Sequence, residues 1–552
     1  MDEKIESTTG KKPDRTVLIV SAVIVVLFTA WGLVLPDNLA VVINTVNGFL
    51  CNDLGWLYLL AMMIFLFFGF YIALSKYGNL KMGKPDDEPE FSNFQWFALL
   101  FGGGIGIGLV FWSMAEPMMH ASGLGGSYSS VGFENAPVAA LTAAELTAGD
   151  FTTNIPVGVI DAIRITFMHE GVHCWGIFGL VGMCLGYAAY RKGLPFLVSS
   201  TLYPLIGDRI YGGIGKTVDI LAVFATVFGV ATSLGLGAMQ IAGGVEYVYG
   251  VEGLGTNSMV IAMIIGVITA IFTLATVAGL EKAMSAVVNF KVWLSIFFMV
   301  FLLVFGGTTF ILREVTWTLG SYITTFMNQS FWYGDTAWLS NWTVFYWGWW
   351  IAWGTFCGTF FARVSKGRTL RQMFLGGTLL PAGFSFVWIV IFAGAAFFTN
   401  SITDNSVVAA TQAQYTTATF AVLQQLPIYQ VMAPLTLVLI VICFVGAADS
   451  ATFVLPMLTF GGTQDPSKAA RAGWGIAQGA VTVILILVSG SGALVALQTA
   501  SVVAALPFMV VVAFMCIALA RQVAKDYRGD EDPTCWLDER AEKKKLKEAQ
   551  KE

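Results

Sequence analysis

A dense run of large aromatic side chains lies at residues 342–353, where the sequence reads WTVFYWGWWIAW. Its seven aromatic members are Trp342, Phe345, Tyr346, Trp347, Trp349, Trp350 and Trp353. On a helix, these side chains cover every face of about three turns, so some of them must point into the protein interior. Aromatic faces attract a quaternary ammonium by cation–π interaction, worth up to ~2 kcal/mol per ring when desolvated. The run predicts a binding box for such an amine; the alternative is an interfacial tryptophan belt.

A glycine-rich run lies far upstream at residues 101–112, FGGGIGIGLVFW, with glycines at 102, 103, 104, 106 and 108. Each glycine costs a helix about 1 kcal/mol relative to alanine. Freed backbone groups in a membrane are tolerated only where they line a cavity or meet protein. The run therefore predicts a broken helix whose backbone faces a substrate or ion. Close helix packing through small residues is the alternative.

The sequence gives little support for a metal site or for a catalytic site. The three histidines include one close pair, His169 and His173, whose i,i+4 spacing suits a metal, but no neighbouring residue completes a tetrahedral set. The seven cysteines show no metal-ligand spacing. Three histidines are too few for an intramembrane catalytic cluster. We therefore predict no metal site, no cofactor and no enzymatic activity.

The composition places most of the chain in lipid. Of its 552 residues, 56% are hydrophobic and 12% are charged, whereas soluble proteins carry about 25% charged residues. A helix needs about 20 apolar residues to cross the bilayer, which predicts an all-α integral membrane protein. Twelve segments fit, near 16–36, 55–75, 94–114, 159–188, 217–242, 257–279, 288–311, 341–364, 375–398, 431–455, 473–489 and 494–520. The net charge of −5 gives no indication of a nucleic-acid partner.

Lysine and arginine residues predict the orientation of these spans. With twelve spans and a cytoplasmic N-terminus, almost every basic residue of the connections falls on the cytoplasmic side, Lys291 included. Only Arg164 and Arg313 lie on the other side or within a span. We therefore expect both termini to be cytoplasmic in a multi-pass protein of the cell's inner, cytoplasmic membrane.

Several segments resemble the betaine/carnitine/choline transporter family. Residues 342–372, WTVFYWGWWIAWGTFCGTFFARVSKGRTLRQ, are similar to its signature of a Trp-rich span running into a basic A-R-x-S-[RK]-G-R loop. GGGIGIG with Glu116-Pro117 at 102–117, ATSLGLGAMQI at 231–241 and AADSATFV at 447–454 look like its third, fifth and tenth spans. The resemblance covers essentially the whole chain. It implies a homotrimeric secondary active transporter that moves glycine betaine, choline, carnitine or a similar osmolyte or nutrient by alternating access.

The resemblance also implies a LeuT-like core of ten helices in a 5+5 inverted repeat, spans 3–7 and 8–12, preceded by two extra helices. The chain then divides into a cytoplasmic N-terminal tail (1–15), two peripheral helices (16–93), a first repeat (94–311), an extracellular surface helix (312–340), a second repeat (341–520) and a charged cytoplasmic C-terminal tail (521–552). A long segment at 117–157, rich in small residues and without a basic one, is predicted to be external.

The substrate site carries over residue by residue. The family's aromatic box is matched in the eighth span by Trp349, Trp350, Trp353, Phe345 and Trp347, and in the fourth by Trp175, while Phe178 replaces a tyrosine. Backbone at Gly104 and Ile105 is expected to join it.

Glu170 replaces another tryptophan of this box. An intramembrane carboxylate is costly and is functional by default, so we expect Glu170 to pair with the substrate ammonium or to carry a proton. A structural pair with a neighbour such as His173 is the alternative.

The coupling-ion region departs from the family as well. Sodium-coupled relatives place two hydroxyl residues just before the Ala-Asp-Ser of the tenth span, where this chain has Gly446 and Ala447. Sodium prefers oxygen ligands, so we predict transport that does not need a sodium gradient. Na⁺ held by backbone carbonyls, H⁺ and ion-free substrate exchange stay open at this point, as does a taurine- or ectoine-like substrate. The region comprises Gly102, Ile105, Cys443, Gly446 and Ala447.

Overall fold

A computed structural model of the chain describes residues 13–104, 106–122, 155, 157–278 and 281–529. Within these ranges every regular element is a helix, and one isolated β-bridge pairs Lys81 with Thr369. Only the backbone is described at 101–104, 281–286, 288, 447, 449 and 491. Ile105, most of the predicted external segment 117–157 and most of both predicted tails lie outside the described residues, so the predictions about them stay predictions.

The first half of the chain forms ten principal helices. They are α1 Arg15–Val34, α2 Pro36–Asp53, α3 Gly55–Leu74, α4 Asn93–Gly104, α5 Ile107–Ser122, α6 Val157–Glu170, α7 Val172–Gly186, α8 Gly213–Tyr249, α9 Ser258–Ala278 and α10 Glu281–Phe305. Short helical turns lie at Lys76–Asn79, Tyr187–Arg191, Ser199–Leu202, Tyr203–Ile206 and Gly207–Tyr211. The sequence analysis did not predict α2, which begins at a proline in the first helical position, where the missing N–H costs nothing.

The second half contributes six principal helices. They are α11 Thr308–Phe331, α12 Thr343–Val364, α13 Leu370–Ile402, α14 Tyr429–Thr459, α15 Lys468–Ser489 and α16 Ala493–Arg528. Shorter ones lie at Thr336–Asn341, Ser406–Ala413, Tyr415–Thr417, Ala418–Gln424 and Gly490–Gly492. A capping box formed by Thr369 and Gln372 starts α13, because each side chain accepts from the other residue's backbone N–H.

Nine helices in the described ranges are long and apolar enough to cross a membrane, or ten if a bent pair counts as one span. Helix overlaps all twelve predicted segments, but three of these fail the test as single helices. The segment at 94–114 is split between α4 and α5, α10 passes only together with α11, and α12 is rich in tryptophan, whose indole N–H lowers hydropathy. The chain is a multi-pass helical membrane protein, and the count of twelve stays a prediction.

A sharp bend of 106° separates the apolar part of α10, Asn289–Phe305, from α11. Gly307, at the start of α11, has a φ of +91°, a conformation that an L-residue with a side chain rarely adopts. The glycine therefore permits α11 to leave α10 nearly at a right angle. A surface helix, as predicted for 312–340, needs such a turn.

The central helix of the packed interior is α12, whose residues are nearly all buried. It contacts α7, α8 and α16, while α5 packs against α6 and α13. Large apolar side chains are exposed on α1, α9 and α10, the surface that a membrane protein turns toward lipid chains. The tryptophan-rich helix α12 and the span formed by α6 and α7 therefore lie inside, together with the continuous helix α8, whereas α1, α9 and α10 lie outside.

The end of α16 is anchored to the end of the α7 span. The Asp526 carboxylate accepts hydrogen bonds from Lys192 Nζ at 2.6 Å, Gln522 Nε2 at 2.8 Å, Arg191 Nε at 3.4 Å and the Tyr187 hydroxyl. The side chains of Asp526 and Lys192 are fully buried, so these partners replace the water that both charges lose. Residues 521–528 of the predicted tail thus continue α16.

Candidate functional site

A small cavity lies where α5, α6, α7, α12 and α13 meet. Its lining consists of Gly106, Gly108, Leu109, Glu170, Cys174, Trp175, Trp349, Trp350, Trp353 and Ser385. The free volume is about 10 Å³, room for about one water molecule. Four indole rings and one carboxylate therefore converge on a nearly filled space in the protein interior.

The four tryptophans are held by their polar edges. Trp349 and Trp353, one turn apart on α12, both donate from Nε1 to the Gly229 carbonyl of α8, at 3.2 and 2.8 Å. Trp350 donates to the His169 carbonyl at 2.7 Å, and Trp175 donates to the Ser385 hydroxyl at 3.1 Å. A buried N–H without an acceptor would cost about 1–3 kcal/mol. Because these N–H groups are bonded to protein, the four tryptophans present their apolar ring faces to the cavity.

Ring stacking fixes the box further. The rings of Trp349 and Trp350 stack with centroids 4.5 Å apart and an interplanar angle of 14°. The Trp353 ring meets that of Trp350 nearly edge-on, at 6.4 Å and 80°. Consecutive and i+3 or i+4 positions of one helix thus supply differently oriented faces to one cavity.

The predicted helix break positions these rings. The helix α4 ends at Gly104, α5 begins at Ile107, and Gly106 between them lines the cavity. A Cβ atom on Gly108 would lie 2.6 Å from Trp349 Cη2, and one on Gly106 would lie 3.2 Å from Trp353 Cη2. The glycines therefore let two tryptophan rings approach the backbone of α5 more closely than any other residue would.

A second break brings Glu170 to the cavity. The helix α6 ends at Glu170, and α7 begins at Val172, with Gly171 between them in a non-helical conformation. Glu170 is 5% exposed, and its buried Oε1 has no hydrogen-bond partner among the described residues. Burying such a group without a partner is costly, so the position suits a cationic or N–H-bearing ligand. His173, the predicted alternative partner, instead lies with Nε2 2.9 Å from the Ser330 hydroxyl.

The remaining predicted residues lie around this cavity. Phe345 stacks on Trp349 at 5.3 Å, and Phe178 meets Trp350 edge-on at 6.0 Å, so both form a second layer. Trp347 stacks instead on His173 at 4.8 Å. None of the three lines the cavity. Gly104 ends α4, and Ile105 lies outside the described residues.

Five of the lining residues were not predicted as substrate-site residues: Gly106, Gly108, Leu109, Cys174 and Ser385. Cys174 follows Glu170 by four residues, a spacing that places two side chains on one face of a helix, and this spacing could have indicated it. Ser385 carries no comparable signal, because a single hydroxyl in an apolar helix usually bonds the preceding turn; here it accepts from Trp175.

A buried polar cluster adjoins the cavity and joins α5, α6 and α12. Glu116 Oε1 lies 2.6 Å from His169 Nδ1 and 3.2 Å from His120 Nε2, and Glu116 Oε2 accepts from the Tyr346 hydroxyl at 2.5 Å. His169 Nε2 lies 3.0 Å from the Thr343 hydroxyl. Every member is at most 3% exposed. We refer to Glu116, His120, His169, Thr343 and Tyr346 as the acid–base cluster.

Glu116, His120 and His169 also form the kind of group that could hold a metal ion, with donor atoms within 4.8 Å of one another. Only His169 and His173 were considered as metal ligands from the sequence, because they are the histidines close in sequence, so this grouping was not predicted. Two ligand atoms on one tetrahedral zinc are separated by about 3.3 Å, given metal–ligand distances near 2.0–2.1 Å. The 2.6 Å separation of His169 Nδ1 and Glu116 Oε1 is a direct hydrogen bond.

The predicted coupling-ion region lies partly on α14. Cys443 is buried there, and the Gly446 carbonyl accepts from the Ser450 hydroxyl at 2.9 Å. Lys291 was assigned to a cytoplasmic connection by sequence; it lies within α10, 5% exposed, and interacts electrostatically with Cys443. A positive charge therefore stands close to this region. Gly102 and Ala447 are described by backbone alone.

A second, larger cavity of about 290 Å³ lies between α12 and α14. Its lining consists of Phe196, Phe356, Thr359, Phe360, Arg363, Ser450, Phe453, Val454, Met457, Gln464 and Arg471. The ring of Phe356 meets that of Trp353 at 5.2 Å, nearly edge-on. This aromatic contact connects the linings of the two cavities.

Comparison with known proteins accounts for this architecture. A family model described as the betaine/carnitine/choline family transporter matches residues 16–528. A probable glycine betaine transporter of Desulfitobacterium hafniense is 52% identical, over 94% of this chain and 99% of its own. The glycine betaine transporter OpuD of Bacillus subtilis is 37% identical over 92% and 94%. An ectoine/hydroxyectoine transporter of Virgibacillus pantothenticus is 36% identical over 93% and 97%.

Proposed function

Since this chain belongs to the betaine/carnitine/choline transporter family, we propose that it carries glycine betaine or a similar quaternary-ammonium solute by alternating access. The observation that carries this proposal is the cavity formed by Trp175, Trp349, Trp350 and Trp353 around Glu170. Desolvated aromatic faces attract a trimethylammonium group that can make no N–H hydrogen bond. The relatives named above for glycine betaine support the same substrate class.

The two ends of a zwitterion find different partners in this cavity. We propose that the ammonium lies against the tryptophan faces and Glu170. The carboxylate lies at the start of α5, where Gly106, Gly108 and Leu109 line the cavity. The first N–H groups of a helix are unpaired within it and favour a negative charge. Because the free space is about 10 Å³, we expect the substrate to enter by moving at least one tryptophan ring.

An ectoine-like substrate is the second candidate, and Glu170 supports it. Its unpartnered oxygen suits a ligand that donates an N–H, which a trimethylammonium lacks. The relative of Virgibacillus pantothenticus is named for ectoine and hydroxyectoine. The substrate carboxylate would keep its place at α5 in either case.

We propose that transport does not need a sodium gradient. Gly446 and Ala447 supply no side-chain oxygen, and the Ser450 hydroxyl is already bonded to the Gly446 carbonyl. The ammonium of Lys291, through its electrostatic interaction with Cys443, makes a second cation there less favourable. Proton coupling and ion-free exchange both agree with these observations.

We further propose the complete membrane arrangement expected from the family. It comprises twelve spans with a LeuT-like 5+5 core, both termini in the cytoplasm, and a homotrimer in the cytoplasmic membrane. The observed helices overlap all twelve predicted segments, and α4 and α5 are separated by a break. Both observations support the span count. The cavity of about 290 Å³ behind Phe356 is the proposed release route on the cytoplasmic side, since its lining includes Arg363 of the basic loop.

Reconstitution of the purified chain into proteoliposomes tests the proposal. Labelled glycine betaine should exchange against internal glycine betaine, with competition by choline and carnitine. Competition by ectoine alone would favour the second candidate. An absence of exchange with every amine tested, in liposomes shown to contain folded protein, would overturn the proposed function.

A further inference from the structure

We infer that the Glu116–His169 pair is the proton-binding site of a proton-coupled transport cycle, an inference that rests on the proposed transport function. Both residues are 0% exposed and lie on different helices, α5 and α6. Neither lines the substrate cavity.

Hydrogen-bond counting places a shared proton between Glu116 and His169. Glu116 accepts from Tyr346 on one oxygen and faces two imidazoles on the other, so its carboxylate, when ionised, can accept from all three side chains. In that state His120 donates from Nε2, and its buried Nδ1 has no partner among the described residues, so a second proton there would leave an unpaired donor. His169 has partners at both nitrogens, Glu116 and Thr343.

The Thr343 hydroxyl makes both charge states of His169 possible. A hydroxyl can donate or accept a hydrogen bond. When His169 is neutral, its Nε2 accepts from Thr343; when His169 is protonated, the same nitrogen donates to Thr343 across the same 3.0 Å. No heavy atom needs to move between the two states. The site can therefore gain and lose a proton while its packing is kept.

The charge balance favours binding of a proton. With His169 neutral, the acid–base cluster carries the uncompensated charge of Glu116, and Glu170 lies close enough to interact electrostatically with Glu116. Two carboxylates in a low-dielectric interior repel one another, and an isolated charge there is expensive. Protonation of His169 neutralises the cluster and leaves Glu170 free to meet a cationic substrate group. The titratable groups around Glu116 and His169 are His120, Glu170, His173, Cys174 and Tyr346.

Helix movement would release the proton. Glu116 lies on α5, which begins after the break at Gly106, and His169 lies two residues before the break at Gly171. Rotation about either break changes the separation of Glu116 and His169, and a proton held between the two side chains at 2.6 Å then loses one of its partners. Trp350, which donates to the His169 carbonyl, couples this pair to the substrate cavity. Proton affinity therefore depends on conformation and on substrate, which is a reciprocal linkage.

The test compares two modes of transport in proteoliposomes. An inward pH gradient, with the membrane potential clamped by potassium and valinomycin, should drive accumulation of glycine betaine by the wild-type chain. Glu116→Gln keeps the shape of the side chain and removes its charge, and His169→Gln removes the imidazole that faces Glu116. In both variants the pH gradient should no longer increase the uptake of glycine betaine. Exchange of external for internal glycine betaine needs no net proton movement and should persist.

Glu314→Gln is the matched control. Glu314 is an equally buried carboxylate, bonded to Thr318 on the same helix α11 at 3.1 Å and outside the acid–base cluster, so this variant should respond to the gradient as the wild type does. If one cluster variant fails to fold, as judged by thermal unfolding in detergent, the other decides.

Gradient-driven accumulation that survives in both cluster variants would overturn the inference. So would a wild-type chain that exchanges substrate but ignores the pH gradient, a result that leaves the proposed function standing. A stoichiometric transition metal, bound to the purified wild type and lost in Glu116→Gln, would also overturn it by showing a metal centre. Absence of exchange in the wild type would contradict the proposed function instead.

Discussion

The indole N–H of Trp350 donates to the backbone carbonyl of His169 at 2.7 Å. One hydrogen bond thus joins the aromatic cavity to the acid–base cluster beside it. His169 takes part in both, through its carbonyl in the first and its imidazole in the second. The aromatic cavity and the acid–base cluster are therefore in direct contact through His169.

Replacing Trp350 should weaken substrate binding most among the α12 residues. Trp350→Ala removes a ring face and should raise the Kd for glycine betaine about tenfold or more, because a desolvated cation–π contact is worth up to ~2 kcal/mol. Trp350→Phe keeps a smaller face and loses the bond to His169, so its effect should be intermediate. Titration calorimetry measures both, and Trp347→Phe, outside the cavity lining, serves as control. Unchanged affinity in Trp350→Ala would refute the aromatic box.

Neutralising Glu170 should change substrate recognition. Glu170→Gln keeps the volume but removes the negative charge beside the tryptophan rings. We expect weaker binding of glycine betaine and a larger loss for choline, whose positive charge is not balanced by a carboxylate of its own. Competition assays with the two ligands measure the ratio. If the variant binds glycine betaine and choline as tightly as the wild type does, Glu170 has only a structural role.

Adding one methyl group at Gly108 should disrupt the cavity. Its Cβ would lie 2.6 Å from Trp349 Cη2, and that ring cannot tilt easily because Phe345 and Trp350 stack on it. Alanine would otherwise favour the helix by about 1 kcal/mol. We expect Gly108→Ala to lose substrate affinity in a binding assay while remaining folded.

Gly266→Ala is the matched control for Gly108→Ala, because a Cβ there meets nothing within 4 Å. It should bind substrate normally and unfold at a slightly higher temperature. If Gly108→Ala behaves in the same way, the close approach of Trp349 to α5 has no importance for binding.

Removing sodium should leave uptake intact. Glycine betaine uptake is measured in vesicles with sodium replaced by potassium, at fixed pH and membrane potential. Gly446 and Ala447 provide no side-chain oxygen, and the Ser450 hydroxyl is bonded to the Gly446 carbonyl, so these three positions offer few ligands to a dehydrated sodium ion. A saturable dependence of concentrative uptake on sodium would contradict this expectation and would require backbone or water ligands.

Replacing Asp526 should destabilise the fold without touching the cavity. Asp526→Asn removes the charge opposite Lys192 and Arg191, leaving buried cations under-compensated. Breaking such a pair typically costs about 3–5 kcal/mol, so the variant should unfold at a clearly lower temperature in detergent. Asp404→Asn, at an exposed turn, should unfold like the wild type. Equal stability of the Asp526 variant would show that the network at the end of α16 is solvated.

Helix positions were largely predictable because a membrane span needs a long apolar segment, whereas α2, with Asp37, Asn38 and Asn44 along it, escaped this criterion. The aromatic run was visible, but with aromatic residues on every face its pattern could not separate Trp350 from Trp347. The pairing of Glu116 with His169 spans 53 residues, and no periodicity within one helix reports a contact between two helices. Only the fold brings those side chains together.

The stacked rings of Trp349 and Trp350, 4.5 Å apart and nearly parallel, have an optical consequence. Two indoles at this distance couple their electronic transitions, which contributes a circular-dichroism signal in the far ultraviolet. A substrate that inserts beside Trp350 and separates the rings would abolish that signal without any added label. The difference spectrum between the wild type and Trp349→Phe isolates it from the other tryptophans, so the protein contains its own chromophore for following occupancy of the cavity.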